Sequence, residues 1–68
     1  MNKYYVNKTA QPNGDHEVHE DSCYWLSLAN SKEYLGTHSN CDSAVKEAKK
    51  KYPTANGCMS CSKECHTK

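Results

Sequence analysis

Apolar positions along this 68-residue chain come in short, widely spaced groups, and the elements they predict are correspondingly small. Lys3 to Lys8, with Tyr4, Tyr5 and Val6 at its centre, has the aromatic and β-branched content of a short strand. Gln11-Pro12-Asn13-Gly14-Asp15 follows as a turn, since Pro fixes φ and Asn-Gly tolerates positive φ. Glu17 to Tyr24 reads as the returning strand, with Glu17, His19 and Asp21 on one face and Val18 and Glu20 on the other. Tyr24-Trp25-Leu26-Ser27-Leu28 is the richest apolar stretch and the expected hub of the core. Glu33-Tyr34-Leu35-Gly36 predicts a third short strand. A helix is expected from about 41 to 52, where Val45, Ala48 and Tyr52 share a face. Ser39 is its expected N-cap, with Asp42 three residues on, and Pro53 ends it. The fold class is therefore α+β: a small antiparallel sheet of two or three strands, one main helix, and a zinc knuckle or short helix at the C-terminus. All of this fits one small domain spanning residues 1–68.

Composition changes the picture from a small domain to a stapled one. Leu, Ile, Val and Phe together supply only six residues, Leu26, Leu28, Leu35, Val6, Val18 and Val45, and Ile and Phe are absent. That share lies far below the roughly 20 % at which burial alone begins to look insufficient for folding. Net charge is only +1, so the chain lacks the strong self-repulsion usual in disordered segments. A covalent or coordinate staple is implied, and five Cys and four His are the candidates.

No apolar run approaches the roughly 18 residues of a membrane span. The first eight residues lack the apolar core of a secretory signal, so the expected compartment is the reducing cytosol, where clustered cysteines more often hold metal than form disulfides. Charge is asymmetric. Residues 1–42 carry three Lys against six acids, and residues 43–68 six Lys against two. The absence of Arg weakens a nucleic-acid reading of the basic half.

The informative spacing is His19-x3-Cys23, then 34 residues, then Cys58-x2-Cys61. Two close pairs separated by one small folded unit is the usual arrangement of structural zinc, because a C-x2-C turn aims two sulfurs at one point. Gly57 allows a sharp entry into that turn. These four are the expected ligands of one structural Zn²⁺. His16, Cys65 and His66 are alternative ligands, and Cys41 a helix-start thiol of lowered pKa or a small buried hydrophobe. In an oxidised chain Cys41 and Cys65 could pair, although spacing alone does not establish their proximity. The core expected beside the metal comprises Trp25, Leu28, Leu35, Val45 and Tyr52.

The order His19-x3-Cys23, the strand-like Tyr34-Leu35-Gly36, Ser39 and Ala44-Val45 opening a helix, then Gly57-Cys58-x2-Cys61, resembles the small Ada-type metal-binding module over about residues 4–61. That module recurs in bacterial DNA-repair regulators and as an appendage on nucleases. The resemblance implies a small sheet, one or two helices and a single tetrahedral zinc. In the repair members the first ligand is a cysteine that accepts a methyl group from damaged DNA phosphate. Here the matching residue is His19, which cannot perform that thiolate transfer, so the resemblance implies a structural metal. The run Asn13-Gly14-Asp15-His16-Glu17-Val18-His19 with the ending Glu64-Cys65-His66-Thr67 is also similar to a group of short bacterial proteins that supply no activity to carry over.

No nucleophile, base and orienting group form a legible set, so no enzyme activity and no small-molecule substrate are expected. The expectation is a non-catalytic, zinc-stapled module acting through its surface. A protein partner is slightly favoured, a nucleic acid is possible and a membrane is not expected. The alternative is a thiol-redox or metal-handling protein that uses the extra cysteines.

Overall fold

The computed structural model describes residues 1–67. β1 (Asn2–Asn7) and β2 (His16–Glu20) form an antiparallel hairpin in which Tyr5 lies opposite His19 and Val6 opposite Val18. Its turn is closed by Gln11 N–H donating to the Asp15 carbonyl at 2.8 Å. Asn13 Oδ1 accepts from Asp15 N–H at 2.9 Å, and Gly14 takes φ +92°, so the Asn-Gly pair behaves as its chemistry dictates. The returning strand is shorter than the sequence suggests. After Glu20 the chain turns, with Cys23 N–H donating to the Glu20 carbonyl, and enters a four-residue helix, α1 (Tyr24–Ser27).

β3 (Lys32–His38) crosses to the far side of β1 and pairs antiparallel with it. The register slips between Tyr4 and Tyr5, where Gly36 at φ +91° leaves Leu35 as the extra residue of a bulge. α2 (Cys41–Lys49) follows, and β4 (Ala55–Gly57) pairs parallel with β2. The strand order is β3-β1-β2-β4. The sheet is thus mixed and four-stranded, where two or three antiparallel strands were expected. Ala55-Asn56-Gly57 has no β-propensity to announce itself. Its strand geometry comes from the ladder of β2, with His16 N–H bonded to the Thr54 carbonyl and Cys58 N–H to that of Val18.

α2 begins where expected but is regular only to Lys49. Beyond it Lys51 and Tyr52 N–H both donate to the Ala48 carbonyl, so the chain keeps winding as a turn up to Pro53. Asn40, one residue after the expected Ser39, is the N-cap. Its backbone is extended and its Oδ1 accepts from Ser43 N–H at 3.3 Å.

The core is split by the sheet. On one face Tyr4, Val6, Val18 and Ala55 pack with Cys41, Ala44, Val45 and Ala48 of α2, and Leu35, Tyr52 and Cys65 lie at the margin. On the other face Cys23, Leu26 and Cys58 are buried beside Tyr5 and Cys61. The expected hub is largely solvent-facing: Leu26 is buried, but Trp25 is 50 % and Leu28 55 % exposed. A single turn of helix turns only one such side chain inward, and Leu26 takes that place. Val45, Leu35 and Tyr52 pack on the α2 face, away from Cys23 and Cys58.

The tail wraps the free edge of β4. After Cys58 it runs through a turn to a short 3-10 helix (Lys63–Cys65), and His66 Nδ1 lies 3.1 Å from the Gly57 carbonyl. A Cβ at Gly57 would sit 2.7 Å from both Cys65 Cβ and the Ser62 carbonyl oxygen. Two of the nearest obstacles are backbone atoms, so the tail would have to lift. Gly57→Ala is expected to destabilise the protein by about 1–3 kcal/mol, the usual scale of overpacking. A denaturant midpoint unchanged from wild type would show that the tail is not seated there.

Candidate metal centre

β2 places His19 on the face opposite α2, 1 % exposed. The turn after β2 delivers Cys23, whose carbonyl starts α1 by accepting from Leu26 N–H. Cys58 directly follows β4, and the tail turn returns Cys61 to the same point, Ser62 N–H closing it on the Cys58 carbonyl at 2.9 Å. The ligand atoms of His19, Cys23, Cys58 and Cys61 all lie within 4.8 Å of one another. Cys23 Sγ is 3.9 Å from Cys58 Sγ, and Cys61 Sγ is 3.9 Å from His19 Nδ1. Sulfurs about 2.3 Å from a tetrahedral zinc are about 3.8 Å apart. The four donors therefore stand close enough together that these residues could hold a metal ion.

The surroundings fit thiolate ligands. Glu20 N–H donates to Cys61 Sγ at 3.3 Å and Ser60 N–H to Cys58 Sγ at 3.4 Å. Glu17 Oε1 stands 3.5 Å from His19 Nε2, leaving Nδ1 toward the sulfurs. A carboxylate behind a ligating imidazole is the usual means of fixing its tautomer. Glu17 joins the four ligand candidates as a fifth member of the site. Its signal was the period-2 placement of Glu17 and His19 on one strand face.

Without metal, burial pushes the Cys61 thiol up to about 12 and raises Cys58, while it lowers the His19 imidazole. The three groups thus favour their uncharged forms, and an incoming cation must displace thiol protons.

The other candidates lie elsewhere. His16 Nδ1 is 3.0 Å from the Asn7 carbonyl, and its ring stacks on Tyr52 at 4.5 Å. His66 is bonded to Gly57, and Cys41 and Cys65 are joined in a disulfide. Among the described residues the tetrad is the one grouping of three or more side chains able to hold a metal ion. Also among them, no helix is long and apolar enough to cross a membrane. No family model, curated protein or solved structure matches the sequence.

Two expectations follow from this geometry. Glu17→Gln should weaken metal binding by about 10–100-fold with the fold retained. Competition titration against a chelator measures it, and an unchanged affinity would exclude Glu17 as the orienting group. The metal-free chain should be most stable between the titrations of its buried groups. The raised thiols favour the fold below their unfolded pKa of about 8.5, a contribution lost as pH climbs toward their folded values. The lowered imidazole favours it above about 6.5, a contribution lost as pH falls. Denaturant midpoints of apo protein across pH should therefore fall on both sides, and a midpoint still rising beyond pH 9 would contradict the buried thiols.

Proposed function

We propose that this protein is a non-catalytic module stapled by one structural Zn²⁺, which acts by binding a protein partner through the surface beside the metal centre. The observation that carries the reading is that four donors of zinc-type chemistry, three of them buried, converge from the two ends of a chain with a divided core. Four protein ligands complete a tetrahedron and leave no position for a substrate or an activated water, so the metal's role is structural. The four residues bind and orient: Cys23 and His19 anchor the hairpin, Cys58 and Cys61 anchor the tail. Structural zinc contributes roughly 10–16 kcal/mol in finger peptides, a scale comparable to the whole stability of a small domain.

The surface supports a protein partner over a nucleic acid. Trp25 and Met59 stay half or more exposed, and with Gln11, Glu17 and Ser60 they border a groove of about 320 Å³ over Cys58. Trp25 is held there by its Nε1–H donating to Ser60 Oγ at 3.0 Å. An aromatic anchor of this kind beside Glu17 suits an apolar segment with basic flanks. Three of the lysines that could contact phosphate are paired with acids: Lys46 with Asp42, Lys50 with Glu47 and Lys51 with Glu33.

Native mass spectrometry should find one zinc per chain, and chelation should lower the denaturant midpoint read by circular dichroism. A chain that remains fully folded and zinc-free after expression in zinc-replete medium would refute the staple.

A further inference from the structure

The tetrad uses three of the five cysteines, and the other two are bonded to each other. Cys41 opens α2 and Cys65 ends the 3-10 helix; their Cα atoms are 6.2 Å apart across a separation of 24 residues. The disulfide lies on the α2 face of the sheet, and the tetrad on the other.

Short contacts connect the two. Cys65 packs against the backbone of Gly57, the residue before ligand Cys58. Cys65 N–H donates to the Ser62 carbonyl, and Ser62 N–H to the Cys58 carbonyl. Ser62 is 2 % exposed, with its Oγ 3.7 Å from Cys61 Sγ. The segment from Cys58 to Cys65 is therefore a compact loop over the β4 edge. Two metal-competent thiols stand at one end and the disulfide at the other. Both disulfide residues also line an open cavity of about 350 Å³, shared with Asn40, Lys49 and Glu64, which gives a small thiol an approach to the bond.

We propose that the Cys41–Cys65 disulfide is a redox-exchangeable clamp that sets how firmly Cys58 and Cys61 hold the metal. This rests on the metal reading above. The reductant is a small monothiol of the glutathione class. Its thiolate attacks one sulfur of the disulfide, forming a mixed disulfide and expelling the other sulfur, which takes up a proton. A second monothiolate attacks the small-molecule sulfur of that mixed disulfide and expels the remaining protein thiolate, which takes up a proton, giving two protein thiols and one oxidised small-molecule disulfide; two electrons pass from the monothiols to the Cys41–Cys65 bond. In the reduced state Cys65 is no longer tied to α2, and the tail is free to lift from Gly57 and carry Cys58 and Cys61 with it. Because one segment serves both bonds, crosslink and metal favour each other by the same factor.

Two measurements test the clamp. Zn²⁺ affinity, read by equilibrium competition with a chromogenic chelator, should be at least about fivefold weaker in Cys41→Ser/Cys65→Ser than in oxidised wild type, the low end of ordinary coupling between sites. The second uses only wild type, so it decides the matter even where the double variant fails to fold. In a buffer of reduced and oxidised monothiol, saturating Zn²⁺ should move half-reduction of Cys41–Cys65, read by alkylation and peptide mass, at least about fivefold toward more reducing ratios. Equal Zn²⁺ affinity of both proteins, or an unmoved half-reduction point, overturns the clamp while leaving the metal reading intact. Failure of both redox forms to take up Zn²⁺ overturns the metal reading itself.

Discussion

The second strand is covered on both sides, with Val18 fully buried on one face and His19 1 % exposed on the other, and the rest of the molecule is arranged by that fact. Val18 meets the α2 face, where ordinary apolar burial holds. His19 occupies the equivalent central place on the other face, where the chain has almost nothing apolar to offer. A buried imidazole needs polar company, since an unpaired polar group in a dry site is costly. Cys23, Cys58, Cys61 and Glu17 provide it. A metal drawn into that group would supply the cohesion that Leu26 and Tyr5 alone do not.

Each face thus has its own means of closure, and they differ in chemistry. The α2 face has alanines, valines and Tyr4 around a disulfide. In the chain-entropy account a crosslink over 24 residues stabilises by about 3–4 kcal/mol, whereas structural zinc contributes roughly 10–16 kcal/mol. With a metal bound, the larger contribution would fall on the face with the poorer core. The C-terminal tail takes part in both, passing around the edge of β4, and its close seat on Gly57 is what allows a three-residue strand to be buried throughout. Asn56 completes this edge: its Oδ1 accepts from Gly57 N–H and from Thr67, and its Nδ2 donates to Asp15 Oδ2.

The residues that converge were legible because their positions follow from local geometry. The x2 spacing places Cys58 and Cys61 on one turn, and the Asn-Gly turn sets the hairpin whose returning strand carries His19 and leads to Cys23. The alternation of Tyr4, Tyr5 and Val6 likewise marks a strand with two working faces. What sequence did not carry depends on long-range partners. β4 is a strand only because β2 offers a ladder. The exposure of Trp25 and Leu28 follows from α1 being a single turn, a consequence of the chain leaving the sheet directly after Glu20. The proximity of Cys41 and Cys65 depends on the tail rounding β4, and nothing in a separation of 24 residues announces that path.

Charge then separates the two exposed sides. On and beside α2, Lys46, Lys50 and Lys51 each stand within 3.3 Å of a carboxylate, and Lys51 beside Glu33 holds that carboxyl below its ordinary range. Exposed pairs of this kind add little stability, but they neutralise the surface locally. The half of the sequence that is basic in composition is therefore much less so as a surface. Near the tetrad the balance reverses: Tyr24, Trp25, Leu28 and Met59 are exposed, while Glu17 is partly covered and turned to His19. Apolar area left in water on a chain so short of it is a poor use for stability. It is explained if that area is needed for contact with something else, and its position beside the tetrad makes the anchoring of Cys23 and Cys58 the condition for presenting it.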